Sequence, residues 1–303
     1  MITQLQFDVL MSYCLSGNST KKSIDDFSNK YSKNEFENAI SELILSGFLD
    51  ENGITDLGKE ALEPFKVKRA IFLAAGFGLR MVPVTYTVPK PLIKIGGVRI
   101  IDTLIDACLN AGIEEIYIVR GYLKEKFDEL LVKYPMIKFI DNPYYNEANN
   151  ISSAFLVRNL LQNAYIFEAD MILSNPTLIK KYNYSSKVFG CFCKETDDWS
   201  VESDEKGFAT EHIKGGKNIW KQGGIYYLNG SDGLKYASHV ENIYLNTQGG
   251  KNIYWEDVIH KYYLADYKIE ITPFNCEDIT EIDTFEELIA IDSSYKDYDN
   301  ENK

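Results

Sequence analysis

The sequence predicts an α/β protein preceded by a small, mainly α segment. Up to about Phe65 apolar residues recur at helical spacing, and strand signals are few. After Lys66 short apolar strands alternate with amphipathic helices, which is typical of a sheet covered on both faces. From Lys187 onward the strands contain more aromatic residues and turns, which indicates a mixed-sheet half that closes over a substrate. We therefore divide the chain into domains of residues 1–66 and 67–303.

The first domain has the elements of a winged helix-turn-helix. After an initial helix that contains Phe7 and Leu10, helical patterns are predicted at residues 24–31, 32–47 and 56–65, with a turn at residues 50–53. Residues 54–62 resemble the wing exit of bacterial regulators of the multiple-antibiotic-resistance type, which implies DNA binding.

The charge of this domain does not favour DNA as its partner. Residues 1–66 contain six lysines, no arginine and eleven acidic residues, a net charge of −5. A protein surface that binds a polyanion needs clustered positive charge. We therefore expect a protein contact, a regulatory role or a homodimer through this domain, with nucleic acid as the less favoured partner.

The composition of the whole chain limits its partners further. With 45% hydrophobic and 25% charged residues the chain is an ordinary globular protein. Its net charge of −13 repels nucleic acid and anionic membranes. Neither a signal peptide nor a membrane-spanning segment is recognisable, so we expect a cytoplasmic location. Five cysteines without CxxC spacing and three scattered histidines indicate neither a disulfide framework nor a zinc site, and Cys191 and Cys193 are expected on one face of a buried strand.

The second domain alternates strands and helices in a regular order. The pattern predicts elements at residues 70–74, 99–110, 115–119, 124–133, 137–140, 151–161 and 164–167, and further strands at residues 188–193 and 224–228. Ligands in such domains bind at the carboxyl ends of the strands. The loop that follows the first of these strands is therefore the first place to look for a site.

That loop, residues 73–80, contains two glycines and an arginine. Gly76 and Gly78 let the backbone approach phosphate oxygens closely, and Arg80 follows two residues later. Further along, Lys90 stands between two prolines that stiffen the backbone. The loop lacks the ending of a Walker sequence and the third glycine of a dinucleotide fingerprint. Each part alone is consistent with a surface turn, but together they predict a phosphate-handling loop.

These residues carry a family resemblance. The stretch LAAGFGLR followed by PKPLIKIGG resembles the nucleotidylyltransferase superfamily of sugar-1-phosphate pyrophosphorylases, and the resemblance extends over residues 70–283. Residues 121–125, 149–150, 254–256 and 281–283 look most like bacterial CTP:phosphocholine cytidylyltransferases. The resemblance implies a Rossmann-like nucleotidylyltransferase domain with a mixed sheet. It also implies an enzyme that converts CTP and phosphocholine, a small amino-alcohol phosphate, to CDP-choline and pyrophosphate.

The resemblance assigns the catalytic and metal-binding residues. Asp170 follows an apolar strand, and it and Asp283 are implied to hold Mg²⁺ on the triphosphate. Met171 departs from the family pattern, which often has a polar residue there. Arg80 is expected to hold the leaving pyrophosphate and Lys90 to stabilise the α-phosphate during in-line attack. The alternative for Asp283 is an N-cap of the helix that follows.

The nucleotide is expected on the backbone of the loop and on two later segments. The expected residues are Leu73, Ala74, Ala75, Gly76, Gly78, Gly121, Asn149 and Ser152. Capping of the helix that begins near Ile151 is the alternative for Asn149 and its neighbour Asn150.

The acceptor is expected beside aromatic and acidic residues. Trp199 and Tyr254 offer aromatic faces for a trimethylammonium group, and Glu256 and Glu281 supply negative charge. Phosphoethanolamine and 2-aminoethylphosphonate remain alternatives, because their primary ammonium would bind carboxylates directly. A sugar-1-phosphate acceptor and a winged-helix regulator that only senses a nucleotide remain further alternatives, and Trp199 could instead be a core residue.

Overall fold

The computed structural model describes residues 2–16 and 30–298 of the chain. The chain divides into two compact units, Met1–Lys66 with Tyr182–Tyr184 and Val67–Lys181 with Ser185–Lys303. Within the described ranges, every helix is too short or too polar to span a lipid bilayer.

The described residues of the first unit form three helices and a small hairpin. They are α1 Gln4–Ser16, α2 Lys33–Leu45, the hairpin of β1 Leu49–Asp50 and β2 Gly53–Ile54, and α3 Asp56–Leu62. Ser32 and Glu35 form a capping box that begins α2, and the Thr55 side chain caps α3. The helices expected at residues 32–47 and 56–65 are present. The helix expected at residues 24–31 lies outside the described residues except for its last two.

The core of the first unit includes a segment that the sequence does not predict. Tyr184 stacks on Phe65 with ring centroids 5.0 Å apart and lies 5.6 Å from the ring of Phe7. Phe36 and Leu43 of α2 are buried in the same core. A tyrosine 119 residues beyond Phe65 gives no local signal of this contact. The winged-helix character of the unit stays a prediction.

The second unit is built on a mixed seven-stranded sheet. The described strands of the whole unit, in chain order, are β3 Arg69–Ala74, β4 Lys94–Ile95, β5 Val98–Arg99, β6 Glu115–Arg120, β7 Lys138–Asp141, β8 Ala164–Glu168, β9 Met171–Leu173, β10 Lys187–Ser203, β11 Ala209–Leu228, β12 Glu270–Pro273 and β13 Ile279–Glu281. Of these, β4 pairs only with β5, and β9 only with β13, outside the main sheet. The main sheet has the order β12-β10-β11-β8-β3-β6-β7, in which β11 is antiparallel to both β8 and β10. The expected α/β domain with a mixed sheet is confirmed.

Helices cover both faces of this sheet. They are α4 Ile100–Asn110 on one face and α5 Ile151–Val157 and α6 Gly230–Asn246 on the other, whereas α7 Phe285–Ile291 packs in a separate cluster with Met81. Phe72 of β3 packs in one core layer and its neighbour Ile71 in the other, because successive side chains of a strand point to opposite faces. The helix expected at residues 124–133 is instead a 3-10 helix, Lys124–Val132.

The two longest strands differ from the short strands expected at residues 188–193 and 224–228. β10 has 17 residues and β11 has 20, and they pair along most of their length with several bulges. One irregularity lies between Thr196 and Trp199, opposite Gly216 and Lys214. Bulges interrupt the alternation of side chains, so that a long strand reads as short pieces in the sequence.

The cysteines are also arranged differently from the expectation. Cys191 and Cys276 are joined as a disulfide, so the expectation that the cysteines form no disulfide is wrong. The reason is topological, because β12 pairs in parallel with β10 and brings residue 276 beside residue 191. Cys191 and Cys193 lie close together on β10 with their Sγ atoms 3.7 Å apart, as expected for alternate residues of a strand.

Candidate active site

The loop after β3 is shaped by a glycine. Gly78 has φ +64°, in the left-handed region that favours glycine. A Cβ atom there would lie 3.0 Å from Thr85 Cγ2 and 3.3 Å from Lys90 Cβ. The Thr85 hydroxyl donates a hydrogen bond of 2.9 Å to the Gly78 carbonyl. The turn therefore packs the loop backbone against the segment that carries Lys90.

Lys90 is the centre of a cluster of charges. It begins a 3-10 turn, Lys90–Leu92, and is only 8% exposed. Its Nζ lies 2.9 Å from Asp170 Oδ2 and 2.8 Å from Asp283 Oδ1. Arg80 Nη2 lies 2.9 Å from the same oxygen of Asp283. Two cations and two carboxylates therefore meet beside the loop.

A short antiparallel ladder between β9 and β13 brings the two carboxylates together. Glu281 pairs with Met171 in this ladder, and Ile282 N donates a hydrogen bond to the Asp170 carbonyl just beyond it. Asp283 is the next residue. Asp170 also follows the carboxyl end of β8, the edge at which ligands of parallel sheets bind. The C-terminal return of the chain thus completes a site that the central strands begin.

Two cavities open on this cluster. The first, the loop cavity, has a volume of about 570 Å³ and is lined chiefly by residues 73–80, Lys90, Asn149, Ser152 and Asp170. The second, the strand cavity, has a volume of about 600 Å³ and is lined chiefly by Trp199, His212, Lys221, Glu256, Cys276 and Glu281. Residues common to both linings are Arg80, Glu168, Tyr254 and Asp283. The charge cluster therefore lies where the two cavities meet.

One wall of the strand cavity is aromatic. The rings of Trp199 and His212 stack with centroids 4.6 Å apart, and Tyr254 meets Trp199 edge-on at 5.2 Å. Asp257 Oδ1 lies 3.0 Å from His212 Nδ1, and Lys261 Nζ lies 5.6 Å from the Trp199 ring centroid. Trp199 therefore lines a cavity, and the alternative of a simple core residue is wrong.

Another part of the wall is a pair of carboxyl groups, Glu168 and Glu256. Burial, and then the charges of Glu256 and Asp170, raise the pKa of Glu168 well above its ordinary value. Burial raises the pKa of Glu256 to about 7. The interaction between the two side chains further raises the pKa of Glu168 and lowers that of Glu256. Among the described residues, none donates a hydrogen bond to the buried Glu256 Oε2.

Comparison with known proteins decides the family. Residues 69–188 match the Nucleotidyl transferase family. A 2-aminoethylphosphonate cytidylyltransferase from Lancefieldella rimae is 36% identical over 75% of this chain and 92% of that protein. The chain belongs to the nucleotidyl transferase family. A choline-phosphate cytidylyltransferase from Streptococcus pneumoniae is 27% identical over 77% of this chain and 100% of that protein. The solved structure of a CTP:phosphocholine cytidylyltransferase from Streptococcus pneumoniae has a TM-score of 0.69 and 26% identity, and covers 76% of this chain and 99% of that one.

The expected Rossmann-like fold and enzyme class are thereby confirmed. This nucleotidyltransferase also has a set of three carboxylates that fits a divalent metal. Enzymes of the family generally use such an ion. Oxygens of Asp170, Glu281 and Asp283 lie within 4.8 Å of one another, and the buried Asp170 Oδ1 accepts no hydrogen bond from the described residues. Burial, and then the charges of Asp170 and Asp283, raise the pKa of Glu281 to about 8. Carboxylate oxygens short of positive charge are suitable ligands for a hard cation.

The charges of the cluster support one another. Burial disfavours the ammonium of Lys90, but Asp170 and Asp283 outweigh this effect and raise the pKa of Lys90. Burial likewise disfavours the Asp283 carboxylate, but Lys90 and Arg80 outweigh it and lower the pKa of Asp283. Lys90 and Asp283 are therefore both charged at neutral pH. The nucleotidyltransferase thus presents a fixed cation where its two cavities meet.

The capping alternative for Asp283 is wrong, and that for the asparagines holds in part, because the Asn149 side chain accepts a hydrogen bond of 2.7 Å from Asn150 N at the start of α5. Thr284, with Glu287, forms the capping box of α7, and the Asp283 side chain points to Lys90 instead. Asn150 occupies the cap position of α5 but makes no side-chain cap bond there, and its Oδ1 accepts a hydrogen bond of 2.9 Å from Trp255 N.

The loop cavity gathers nearly all of the residues expected at the nucleotide. Its lining includes Leu73, Ala74, Ala75, Gly76, Gly78, Asn149 and Ser152. Gly121 is the exception, because it is buried behind the cavity lining, where a Cβ atom would lie 2.7 Å from Tyr145 and 2.9 Å from the Ala75 carbonyl. Gly121 therefore lets the loop and Tyr145 pack closely.

Several lining residues were not predicted from the sequence. Glu168 is the last residue of β8 and stands two residues before Asp170. Its position at the carboxyl end of that strand could therefore have identified it. Lys221, which forms an ion pair with Asp198, and His212 come from the bulged pair of β10 and β11. No local pattern reveals which residues of those strands face each other.

Proposed function

We propose that the protein transfers the cytidylyl group of CTP to a phosphonate oxygen of 2-aminoethylphosphonate, with release of pyrophosphate. The observation that carries the proposal is the meeting of the loop and strand cavities at Lys90, Asp170 and Asp283. A triphosphate in one cavity and a phosphonate in the other would reach the same charges. The 36% identity to the enzyme from Lancefieldella rimae supports both CTP and this acceptor.

The acidic wall of the strand cavity supports an acceptor with a primary ammonium group. Glu168, Glu256 and Glu281 line this cavity, and burial is the first cause of the raised pKa of each. A nearby cation would favour the ionised form of these carboxyls. A primary ammonium carries three hydrogen-bond donors, and Glu256 Oε2 is a buried acceptor for one of them. A trimethylammonium group has no such donor.

Phosphocholine, the acceptor expected from the sequence, is the second candidate. Trp199 and Tyr254 lie edge to face at 5.2 Å in the strand cavity, and each aromatic face contributes about 0.5–2 kcal/mol to binding a cation. However, Trp199 is already stacked on His212 and has the Lys261 ammonium 5.6 Å from its ring centroid. These contacts compete with a trimethylammonium group for the indole.

The chemistry that we propose depends on position and charge rather than on a nucleophile of the enzyme. The acceptor oxygen attacks the α-phosphorus of CTP in line with the leaving pyrophosphate. Arg80 holds the pyrophosphate, and Lys90 stabilises the charge that develops on the α-phosphate. Mg²⁺, held by Asp170 and Asp283 with Glu281 as a further ligand, would neutralise phosphate charge when bound.

A matrix of pyrophosphate-release assays tests the proposal. CTP, ATP, GTP and UTP are each combined with 2-aminoethylphosphonate, phosphoethanolamine, phosphocholine and glucose-1-phosphate. We expect the highest kcat/KM for CTP with 2-aminoethylphosphonate. A preference for phosphocholine supports the second candidate, and a preference for glucose-1-phosphate supports the sugar-1-phosphate alternative. No turnover in any combination refutes the proposed activity.

Two variants separate the acceptor candidates. Glu256→Gln keeps the shape of the side chain but removes its charge, so it should lower kcat/KM more for 2-aminoethylphosphonate than for phosphocholine. Trp199→Ala removes the aromatic face, so it should lower kcat/KM more for phosphocholine than for 2-aminoethylphosphonate. Equal losses with both acceptors in both variants would contradict the proposed recognition of the ammonium group.

The role of the first unit stays a prediction. A homodimer or regulatory contact through residues 1–66 is preferred to DNA binding because of the net charge of −5. A gel-shift assay at low salt with the DNA upstream of its own coding sequence tests the regulator alternative. Specific binding there, together with no turnover, would favour a nucleotide-sensing regulator. The cytoplasmic location is likewise a prediction.

A further inference from the structure

Three cysteines form a cluster in the wall of the strand cavity. Cys191 and Cys193 are alternate residues of β10 and share one face of that strand. Cys276 lies in the turn after β12, and this turn is held against β10 by a hydrogen bond of 3.1 Å from Phe274 N to the Gly190 carbonyl. All three cysteines line the strand cavity. The reaction proposed above uses none of them.

The spacing of the sulfur atoms resembles that of ligands around a tetrahedral metal ion. Cys193 Sγ lies 3.7 Å from Cys191 Sγ and 3.9 Å from Cys276 Sγ. In a zinc site with Zn–S bonds of about 2.3 Å, tetrahedral geometry places neighbouring sulfurs about 3.8 Å apart. Two of the three edges of the cluster therefore already have the length that a zinc–thiolate site requires.

The third edge is the disulfide between Cys191 and Cys276. A dithiol reductant would transfer two electrons and two protons to this bond, giving two thiols while the reductant becomes a disulfide. Cys276 is exposed in its turn, so its side chain can rotate away from the buried Cys191 once the bond is broken. Reduction thus converts one thiol beside a disulfide into three thiols around a common centre.

We propose that the reduced cysteines Cys191, Cys193 and Cys276 bind a soft divalent cation such as Zn²⁺, with water as the fourth ligand. Thiolates select zinc over magnesium, which prefers oxygen ligands. This site is therefore chemically distinct from the carboxylates of Asp170 and Asp283, although both lie beside the strand cavity. Binding releases the thiol protons as the ion replaces them. The disulfide form has lost two of the three ligands and does not bind the ion.

Cobalt(II) absorption on the full-length protein tests this site. The protein is reduced, the reductant is removed, and Co²⁺ is added in the presence of excess Mg²⁺ so that the carboxylates hold a hard ion. We expect one Co²⁺ per chain, a thiolate-to-cobalt charge-transfer band in the near ultraviolet and intense visible bands of a tetrahedral site. Zn²⁺ should displace the Co²⁺ and abolish these bands.

Matched variants keep the test falsifiable. Cys193→Ser and Cys276→Ser should lose the charge-transfer band, while Cys14→Ala, which removes an exposed cysteine of the first unit, should retain it. Circular dichroism establishes that each variant is folded. Wild-type protein oxidised with glutathione disulfide should also lose the band. A folded, reduced wild-type protein without the band, or a band of unchanged intensity in Cys193→Ser, would overturn the proposal.

Discussion

Replacing Lys90 with glutamine should remove most of the activity of the protein. The Lys90 ammonium is buried between Asp170 and Asp283, where the loop and strand cavities meet. If it stabilises charge that develops on the α-phosphate, its loss should lower kcat by about 10²–10³-fold, or about 3–4 kcal/mol, as for other charge-stabilising donors. Because the interaction is made mainly in the transition state, kcat and kcat/KM for CTP should fall together.

The same substitution should also lower the free energy of unfolding. Removing one partner of a buried ion pair costs about 3–5 kcal/mol. Asp170 and Asp283 are 27% and 21% exposed, and Arg80 still pairs with Asp283, so we expect a smaller loss of about 2 kcal/mol. Tryptophan fluorescence during urea unfolding measures it in the second unit, which contains all three tryptophans.

Lys94→Gln is the matched control for this prediction. Lys94 is an exposed lysine on the nearby strand β4, and its replacement makes the same change of net charge. Its kcat and unfolding midpoint should stay close to those of the wild type. The role of Lys90 would be refuted by a fall in kcat of less than about tenfold. It would also be refuted by an equal fall in the Lys94 variant.

Two further substitutions test the loop and the buried histidine. Gly78→Ala should lower the free energy of unfolding by about 1–2 kcal/mol, because φ is +64° and the new Cβ would lie 3.0 Å from Thr85. Gly76→Ala should leave the free energy of unfolding nearly unchanged, since a Cβ atom there would meet nothing within 4 Å. Equal losses in the two variants would contradict the argument. Burial lowers the pKa of His260 from 6.5 to about 4. The contribution of this neutral imidazole to the free energy of unfolding is therefore complete above about pH 6.5. It is lost as pH falls toward 4, by up to about 3 kcal/mol. The urea midpoint of His260→Gln should therefore change less between pH 7 and 4.5 than that of the wild type, and an equal change would show that other groups are responsible.

The phosphate loop could be placed from the sequence because its constraints are local. The strand, the positive φ of Gly78 and the proline-flanked Lys90 all lie within 22 residues, and each has a backbone signature. Asp170 could be placed because a carboxylate directly after an apolar strand lies at the ligand-binding edge of a sheet. Asp283 needed the family resemblance, since it reaches the site only through the pairing of β13 with β9.

The acceptor side could be predicted only in part because it depends on the pairing of distant segments. Trp199 and Glu256 were expected, but His212 and Lys221 lie on β11, whose bulged register with β10 has no local signature. The cysteine cluster has the same origin, because Cys276 is 85 residues from Cys191 and reaches it through the parallel pairing of β12. Sequence spacing therefore gave the wrong expectation for the cysteines.

The charges where the two cavities meet imply that the nucleotide and the divalent metal bind together. Asp170, Glu281 and Asp283 bring up to three negative charges, against the positive charges of Lys90 and Arg80, and the chain as a whole carries a net charge of −13. A triphosphate adds more negative charge, so an additional cation is required beside it. Increasing Mg²⁺ should therefore lower the Kd of CTP, and by linkage CTP should tighten Mg²⁺ binding by the same factor. Calorimetric titrations of each ligand with and without the other measure this factor in the wild type and in Asp170→Asn, in which it should be smaller. An affinity for CTP that does not depend on Mg²⁺ would mean that these carboxylates do not hold the metal of the reaction.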